Sequence, residues 1–195
     1  MDREVATELT LIRHAPTQAG GRLAGRRDVE ADLSDLTAAE GLRKALPQPR
    51  RLIISPARRC QQTAAAIWPV SEVGSRLTDP RLWEQDFGLW EGLPYADLPD
   101  LGPLTAAALA DYRPPGGESF TDLCARIAPA LEEIAEKGSA TIVAHAGTIR
   151  AALALALGTA PAALAFGVSH LSATRIQRLP GGTWSVSSVN WTPAG

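Results

Sequence analysis

The sequence predicts an α/β fold in which helices cover both faces of a mostly parallel central sheet, giving three layers. Three short apolar runs have the length and composition of buried strands: residues 8–13, 51–55 and 139–145. Segments with helical spacing follow them along the chain. Near-continuous apolar strands that alternate with helices are typical of a parallel sheet that is buried on both sides.

Each remaining element has its own local signal. After the second strand, Ser55 and Pro56 provide a capping residue and a first-turn proline for a helix over residues 57–68. The segment 146–158 is apolar on almost every side, so we expect a deeply buried helix there.

The second half of the chain adds an insertion, a helix and a hairpin. Prolines and glycines within about 92–117 predict an irregular insertion that carries one short helix and forms a lid. From Phe120 to Ile134, apolar residues recur with helical spacing. Two β-rich runs on either side of Gly181-Gly182 predict a terminal hairpin.

Composition limits the domain count and the partners. A chain of 195 residues with 45% hydrophobic content has enough apolar residues for one core, so we expect a single domain over residues 1–195. The formal net charge of −2 and the absence of basic runs argue against nucleic acid or an anionic membrane as a partner. The oligomeric state cannot be predicted from this sequence.

The expected location is the cytoplasm. The charged start "MDREVATE" is unlike a secretory signal, and the sequence contains no apolar run near the length of a membrane span. Cys60 and Cys124 do not have the spacing of metal ligands, so we interpret both as reduced core or helix residues. We therefore expect no structural metal.

Cationic and imidazole side chains follow the predicted strands at their carboxyl ends. Arg13-His14, Arg58-Arg59 and His145 all lie at or just beyond such ends, where parallel sheets collect ligands. A single histidine at a strand end is usually structural. However, a buried guanidinium without a carboxylate partner is costly, so its partner is expected to be a ligand. Arginine forks and a neutral imidazole suit a phosphoryl group.

Five segments, in order along the chain, resemble the histidine phosphatase superfamily, also called phosphoglycerate mutase-like proteins. The first is "LIRHAPT", which is similar to the Arg-His-Gly-x-Thr signature of that family. The others are "SPARRCQQTA", "LWEQDFGLWEG", "PPGGESFTDLCARI" and "TIVAHAGTIRAAL". Within the family, the pattern is closest to α-ribazole phosphatase and broad-specificity phosphatases. The resemblance implies the phosphoglycerate mutase-like version of the fold, with a short lid.

The resemblance also implies roles for individual residues. His14 would be the nucleophile that becomes phosphorylated, and Glu84 would donate a proton to the leaving alcohol and then activate water. Arg13, Arg59 and His145 would hold the phosphoryl oxygens, and His145 would also be catalytic. Thr17 and the backbone N–H of Ala146 would add phosphate contacts. No metal or other cofactor is implied.

Several of these assignments have competitors. Neighbouring arginines point about 100° apart on a helix, and the register of the motif selects Arg59 over Arg58. The motif likewise selects Glu84 over Asp86 and Glu91, which are expected to be surface carboxylates. His170 matches none of the five segments, and we expect it to be structural. Glu118 could cap a helix rather than touch substrate.

The sequence departs from the family pattern at three places. Ala15 replaces a glycine, which suggests a backbone conformation that tolerates a Cβ atom. Gly20 stands where many members have asparagine, so Thr17 or a backbone group would have to replace one phosphate contact. The lengthened segment that follows contains Arg22, Arg26 and Arg27, and the sequence does not show which of them contacts substrate.

Hydrolysis of a small phosphorylated metabolite, of the sugar phosphate or α-ribazole phosphate type, is the expected reaction. Mutases of this family usually carry a longer insertion after the acidic glutamate, whereas only a short segment separates Glu84 from Glu118 here. Phosphoglycerate mutase-type transfer is the first alternative. A non-catalytic phosphate-binding or interaction module is the alternative from a different class. The physiological substrate and pathway stay open.

Overall fold

The computed structural model describes residues 6–69, 71 and 73–193, which contain one mixed sheet of six strands. The strands are β1 (Thr7–Arg13), β2 (Arg51–Ile54), β3 (Ser75–Thr78), β4 (Ala140–Ala144), β5 (Ala173–Arg178) and β6 (Trp184–Trp191). Their order across the sheet is β3-β2-β4-β1-β5-β6. The first four are parallel to one another, and β5 and β6 add an antiparallel edge. The predicted α/β fold with a mostly parallel sheet is confirmed.

The helices follow the predicted pattern closely. They are α1 (Thr37–Ala45), α2 (Arg58–Ile67), α3 (Ala106–Asp111), α4 (Phe120–Glu136), α5 (Ala146–Leu157) and α6 (Ala160–Ala163). The α4 helix begins with a capping box between Ser119 and Asp122. The cap and the first-turn proline predicted for α2 are wrong: Ala57 occupies the N-cap position, so Ser55 and Pro56 both precede the helix. The Ser55 hydroxyl bonds to the His145 ring (2.8 Å) and accepts the Ala57 N–H (3.4 Å).

Alternation along the strands divides the apolar side chains between two faces of the sheet. Leu11, Ile53 and Ile142 belong to the core that α4 and α5 cover. Their neighbours in sequence, such as Ile12 and Val143, belong to the core under α1 and α2. Because successive strand side chains point to opposite faces, one short strand contributes to both cores. The result is the three-layer arrangement that the sequence predicts.

One strand of the sheet was not predicted from the sequence. The edge strand β3 has four residues and no fully buried side chain, so it lacks the apolar run that identifies the inner strands.

The insertion 92–117 contains α3 as expected, and its action as a lid stays a prediction, as does the single-domain interpretation. Cys60 and Cys124 are both free thiols on helices, as expected. No helix within the described ranges is long and apolar enough to cross a membrane.

Strand register places the functional segments at one edge of the sheet. Arg13 is paired with Ala144, and Ile54 with Val143, so these three strands end level with one another. Backbone hydrogen bonds extend the alignment by one residue, from His14 N to Ala144 O (3.0 Å) and from Ser55 N to Val143 O (3.0 Å). The ends of β1, β2 and β4 therefore converge.

Packing of α4 on the sheet is expected to contribute strongly to stability. Ile127 is fully buried on this helix, and Glu136 is exposed near its end. We expect Ile127→Ala to lower the free energy of unfolding by about 2–5 kcal/mol, because it removes buried methyl groups and leaves a cavity. Glu136→Ala, the matched control, should change it by less than about 0.5 kcal/mol. Urea denaturation followed by circular dichroism measures both, and equal losses would contradict this role of α4.

Candidate active site

A cavity lies at the converging strand ends, and it brings together most of the predicted site residues. Its wall includes Arg13, His14, Thr17, Arg59, Glu84 and Ala146. These residues come from the end of β1, the loop after it, α2, the loop after β3, and the start of α5. Distant parts of the chain therefore meet around one small space.

The His14 ring has a fixed tautomer. Its Nδ1 lies 2.7 Å from the backbone oxygen of Ala15, and a carbonyl oxygen can only accept a hydrogen bond. Nδ1 therefore carries the proton, and Nε2 keeps its lone pair. Burial, followed by the charge of Arg59, holds the pKa of His14 well below the usual histidine range. Ala15 is buried without a positive φ, as expected where alanine replaces glycine.

Arg59 is almost completely buried, with 1% of its surface exposed. It donates hydrogen bonds to the carbonyl oxygens of Arg27 (2.9 Å) and Gly25 (2.7 Å). Its Nε has no partner in the part of the chain that the structure describes. Arg58, by contrast, is exposed and forms an ion pair with Glu30. The helix register thus selects Arg59, as the motif indicates.

His145 lies behind the His14 ring rather than on the cavity wall. The two ring centroids are 5.2 Å apart in an edge-to-face arrangement. His145 Nδ1 accepts a hydrogen bond from Arg59 (3.1 Å), so Nε2 carries the proton and donates to Ser55 Oγ (2.8 Å). Burial and the Arg59 charge hold the pKa of His145 well below the usual range. Cys60 Sγ lies 3.6 Å from Nε2.

One nitrogen of the Arg13 guanidinium donates a hydrogen bond to the protein, and another has no partner among the described residues. Its NH1 donates to the Val168 carbonyl (2.6 Å), while its buried Nε has no hydrogen-bond partner among the described residues. Burial lowers the pKa of Arg13 even though Glu84 opposes the change. Arg13 and Arg59 both line the cavity, and each has a buried donor without a partner among the described residues, which is typical of an anion site.

Glu84 faces the amino terminus of α5. The backbone N–H of Gly147 donates to one of its oxygens at 3.3 Å, and the N–H of Gln85 donates to the other at 2.9 Å. A Cβ atom on Gly147 would lie 2.1 Å from the Glu84 carboxylate. Glycine is therefore required at position 147 for Glu84 to occupy this position.

The Arg126 guanidinium holds the segment that carries Glu84 through hydrogen bonds to its backbone. Arg126 donates to the carbonyl oxygens of Trp83 (3.0 Å) and Glu84 (3.2 Å) and also pairs with Glu118. Glu118 further accepts from the backbone N–H of Asp86 (3.0 Å). Glu118 therefore neither caps α4, whose cap is Ser119, nor lines the cavity. Arg126 could not be predicted from the sequence, because its role depends on contacts with residues far away along the chain.

The competing acidic and basic residues have other partners. Asp86 and Glu91 lie outside the cavity wall and accept backbone hydrogen bonds from Gly88 and Phe87. Arg22, Arg26 and Arg27, for which the sequence left substrate contact undecided, also lie outside the cavity wall. Their loop contributes Leu23, Ala24 and Gly25 to the wall instead. Arg26 pairs with Glu118, Arg22 donates to the Gly92 carbonyl, and the Arg27 guanidinium packs over Gly92.

Two further basic residues, which the sequence did not assign to the site, line the cavity. His170 donates from Nδ1 to the His14 backbone oxygen (2.9 Å), and its ring centroid is 5.2 Å from that of His14. Burial and Arg13 lower the pKa of His170. Arg150 donates from Nε to the Phe166 carbonyl (3.0 Å). Arg150 stands in the quoted segment "TIRAAL", but nothing local identified it as a cavity residue.

The described ranges contain no group of three or more His, Cys, Asp and Glu side chains that could hold a metal ion. The polar residues of the cavity wall instead supply guanidiniums, imidazoles, one carboxylate, two hydroxyls and an amide, beside the N–H groups at the start of α5. This donor set suits an oxyanion, with an imidazole nitrogen available to attack it and a carboxyl group to exchange protons.

The buried histidines should make stability depend on pH. In the unfolded chain, both rings take up protons as the pH falls through about 6.5, whereas the buried His14 and His145 stay neutral. Since the unfolded state then binds more protons, stability is present above this pH and is lost below it. Between about pH 7.5 and pH 5.5, we expect a loss of about 1.4 kcal/mol for each ring.

Urea denaturation at the two pH values measures this loss. His145→Gln should reduce the loss by about 1.4 kcal/mol, because it removes one of the groups that stay neutral when buried; His14, together with His170, whose pKa is also lowered, accounts for the remainder. An unfolding free energy of the parent protein that does not change between these pH values would contradict the assigned protonation states.

Comparison with known proteins identifies the same family across nearly the whole chain. The family model of the histidine phosphatase superfamily (branch 1) matches residues 9–192. Glucosyl-3-phosphoglycerate phosphatase from Mycobacterium tuberculosis is 32% identical over 96% of this chain and 88% of its own length. A metal-independent phosphoserine phosphatase from Arabidopsis thaliana is 30% identical over 74% of this chain and 66% of its own.

The fold itself recurs in a solved phosphatase. The α-ribazole phosphatase from Shigella flexneri superposes with a TM-score of 0.79, covering 96% of this chain and 98% of that one at 24% identity. The resemblance inferred from the five segments is thereby confirmed at the level of family and fold. The chain belongs to the histidine phosphatase superfamily.

Proposed function

We propose that this protein hydrolyses the phosphate monoester of a small metabolite through a phosphohistidine formed on His14. One observation carries the proposal: the Ala15 carbonyl holds His14 Nδ1–H, which leaves the Nε2 lone pair on a ring that lines the same cavity as Arg13 and Arg59. The lowered pKa of His14 supports it, because only the neutral ring is a nucleophile.

In the first step, His14 Nε2 attacks phosphorus and the bond from phosphorus to the ester oxygen breaks. The protonated carboxyl of Glu84 gives its proton to the leaving oxygen, so the alcohol departs neutral. Arg13 and Arg59, which both line the cavity, stabilise the negative charge on the phosphoryl oxygens. Thr17 and the N–H of Ala146 add neutral contacts at the cavity wall.

In the second step, a water molecule attacks the phosphohistidine. The Glu84 carboxylate takes a proton from that water, the bond between phosphorus and Nε2 breaks, and inorganic phosphate leaves. His14 returns to its neutral form, with Nδ1 still bonded to Ala15. The steps balance with water as the co-substrate, and neither requires a metal ion or another cofactor.

Before the anion binds, His145 influences the phosphoryl position through its hydrogen bond to Arg59. Both of its ring nitrogens are bonded, one to Arg59 and one to Ser55. A direct contact with phosphate would require Nδ1 to gain a proton and release Arg59. An incoming anion favours that protonation, since an opposite charge stabilises the imidazolium form. His145 is thus a positioning residue that becomes a direct phosphate contact as the anion binds.

Residues 92–117 would act as a lid through Tyr95, whose side chain lines the cavity. Hydrolysis is favoured over mutase-type transfer because two relatives that match 96% and 74% of this chain are named as phosphatases. We also propose a single catalytic domain working in the cytoplasm on a sugar phosphate, α-ribazole phosphate or similar substrate.

Loss of the nucleophile should abolish turnover. We expect His14→Ala to lower p-nitrophenyl phosphate hydrolysis by at least about 1,000-fold, because it removes the imidazole that accepts the phosphoryl group. The parent activity should be unaffected by EDTA. Phosphate release measures both, and a parent protein that hydrolyses no phosphomonoester would instead support the non-catalytic binding module.

The acid role of Glu84 predicts a dependence on the leaving group. With glycerol 3-phosphate, Glu84→Gln should lower kcat by about 100- to 10,000-fold, because an alkoxide needs a proton to leave. With p-nitrophenyl phosphate, which needs no acid, the variant should release about one p-nitrophenol per site in a burst and then stall as the phosphoenzyme.

Rapid-quench kinetics and mass spectrometry of the intact protein detect that burst and the added phosphoryl group. Glu91→Gln is the matched control, because Glu91 belongs to the same loop but lies outside the cavity wall, and its amide can still accept the Phe87 N–H. Equal losses on both substrates in Glu84→Gln, with no burst, would contradict the acid role.

A further inference from the structure

His170 is the third imidazole of the site, and neither step of the proposed hydrolysis uses it. The centroid of its ring lies 5.2 Å from that of His14, which is the same separation as between His14 and His145. The ring lines the cavity together with His14 and Arg13. The nucleophilic ring therefore has two imidazole neighbours at equal distance, and only His145 belongs to the five segments.

The His170 ring is held by the protein through one nitrogen only. Nδ1 lies 2.9 Å from the backbone oxygen of His14, and since a carbonyl oxygen can only accept a hydrogen bond, Nδ1 carries a proton. In the neutral ring, Nε2 then keeps a lone pair. Nε2 forms no hydrogen bond with any residue in the described ranges, and the half-buried ring belongs to the cavity wall. This nitrogen is thus available to a group inside the cavity.

His170 has no anionic partner of its own. It forms no ion pair with a carboxylate in the part of the chain that the structure describes. Burial, followed by the charge of Arg13, lowers its pKa, so the ring is neutral at about pH 7 while no anion is bound. Glu84 is the one carboxyl group among the titratable side chains that share the cavity wall with it, which are Arg13, His14, Arg59, Glu84, Tyr95 and Arg150.

A phosphoryl group in this cavity would change the protonation of the His170 ring. The phosphoryl oxygens carry negative charge, so they repel a bare lone pair on Nε2. A proton between Nε2 and one of these oxygens replaces the repulsion with a charge-assisted hydrogen bond. That proton comes with the monoanion form of the ester or from solvent, and the negative charge of the ester raises the pKa of the ring.

We propose that His170 is a further catalytic residue, whose imidazolium form holds a phosphoryl oxygen through Nε2–H. The inference rests on the proposed function, because the phosphohistidine on His14 defines where that oxygen lies. The attacking and leaving groups lie on opposite sides of phosphorus. Since His170 adjoins the attacking ring, it contacts an oxygen that stays on phosphorus, whereas Glu84 serves the leaving oxygen. His170 should therefore strengthen the binding of substrate, phosphoenzyme and product alike.

The protonation of His170 can be observed directly, because the chain contains only 3 histidines. Protein labelled with ¹⁵N-histidine gives ring NMR signals from these residues alone, and His170→Asn identifies the signals of His170. The probe is sulfate, a tetrahedral dianion that has no proton to give near neutral pH. At about pH 7, sulfate should convert His170 from a neutral ring with Nδ1–H to an imidazolium. A His170 ring that stays neutral while sulfate shifts the His14 signals would overturn the proposal.

Hydrolysis of p-nitrophenyl phosphate tests what this contact contributes to the reaction. In His170→Asn, the amide nitrogen can replace Nδ1 at the His14 carbonyl, so the variant loses the Nε2 contact and keeps the other. At about pH 6, we expect it to lower kcat/KM about 10- to 100-fold, mainly through KM, because a hydrogen bond to a charged group is lost. The difference from the parent should shrink as the pH rises, because the parent's imidazolium then loses its proton.

Ser169→Ala is the matched control, because Ser169 is the exposed neighbour of His170 and lies outside the cavity wall. Its kcat/KM should follow the same pH profile as the parent's. If the ratio of kcat/KM between the parent and His170→Asn is the same at about pH 6 and about pH 8, His170 has only a structural role and the proposal is wrong.

The two measurements also separate this inference from the proposed function. A parent protein that hydrolyses no phosphomonoester contradicts the function, whereas sulfate that protonates His170 in that protein still supports the anion contact. Hydrolysis that depends on His14, together with a His170 ring that sulfate leaves neutral, overturns the inference alone. Histidine signals that respond to neither sulfate nor inorganic phosphate would show that no anion reaches the ring, and would overturn it as well.

Discussion

The site is organised around one buried cation. Arg59 has almost no exposed surface, and a guanidinium in that position costs several kcal/mol unless polar groups surround it. Its neighbours are the carbonyl oxygens of Gly25 and Arg27 and the lone pair of His145, which come from two parts of the chain far from Arg59 in sequence. The need to satisfy this one side chain therefore links the loop after β1, the start of α2 and the end of β4. None of these neighbours carries a full negative charge, so the cation still favours an anion.

Much of this arrangement could be predicted because its signals are local. The strands β1, β2 and β4 are apolar runs, α4 has clear helical periodicity and α5 is apolar on almost every side, so their order implied a parallel sheet with its functional residues at one edge. The choice of Arg59 over Arg58 follows from helix geometry and from the motif. Glu84 came from the resemblance alone, since nothing in its spacing separates it from Asp86 or Glu91.

The rest depends on contacts that no local pattern encodes. Strand β3 is short and half-exposed, so it resembles a loop in sequence. The sequence predicted Ser55 as a helix cap, but its hydroxyl bonds to the ring of His145, 90 residues further along the chain. Arg126 and Arg150 occupy helix positions where an arginine is ordinarily solvated, and their partners are carbonyl groups of distant loops. His170 follows no motif, and it reaches the site because β5 pairs with β1.

The thiol beside His145 has a consequence for chemical durability. Cys60 is fully enclosed between α2 and the sheet, and this burial raises the pKa of its thiol. Oxidants and alkylating agents react with thiolates that they can reach, and Cys60 is neither ionised nor accessible. A sulfur atom next to the reaction centre therefore acts as plain packing, and the protein should withstand peroxide or iodoacetamide without losing its fold at this point.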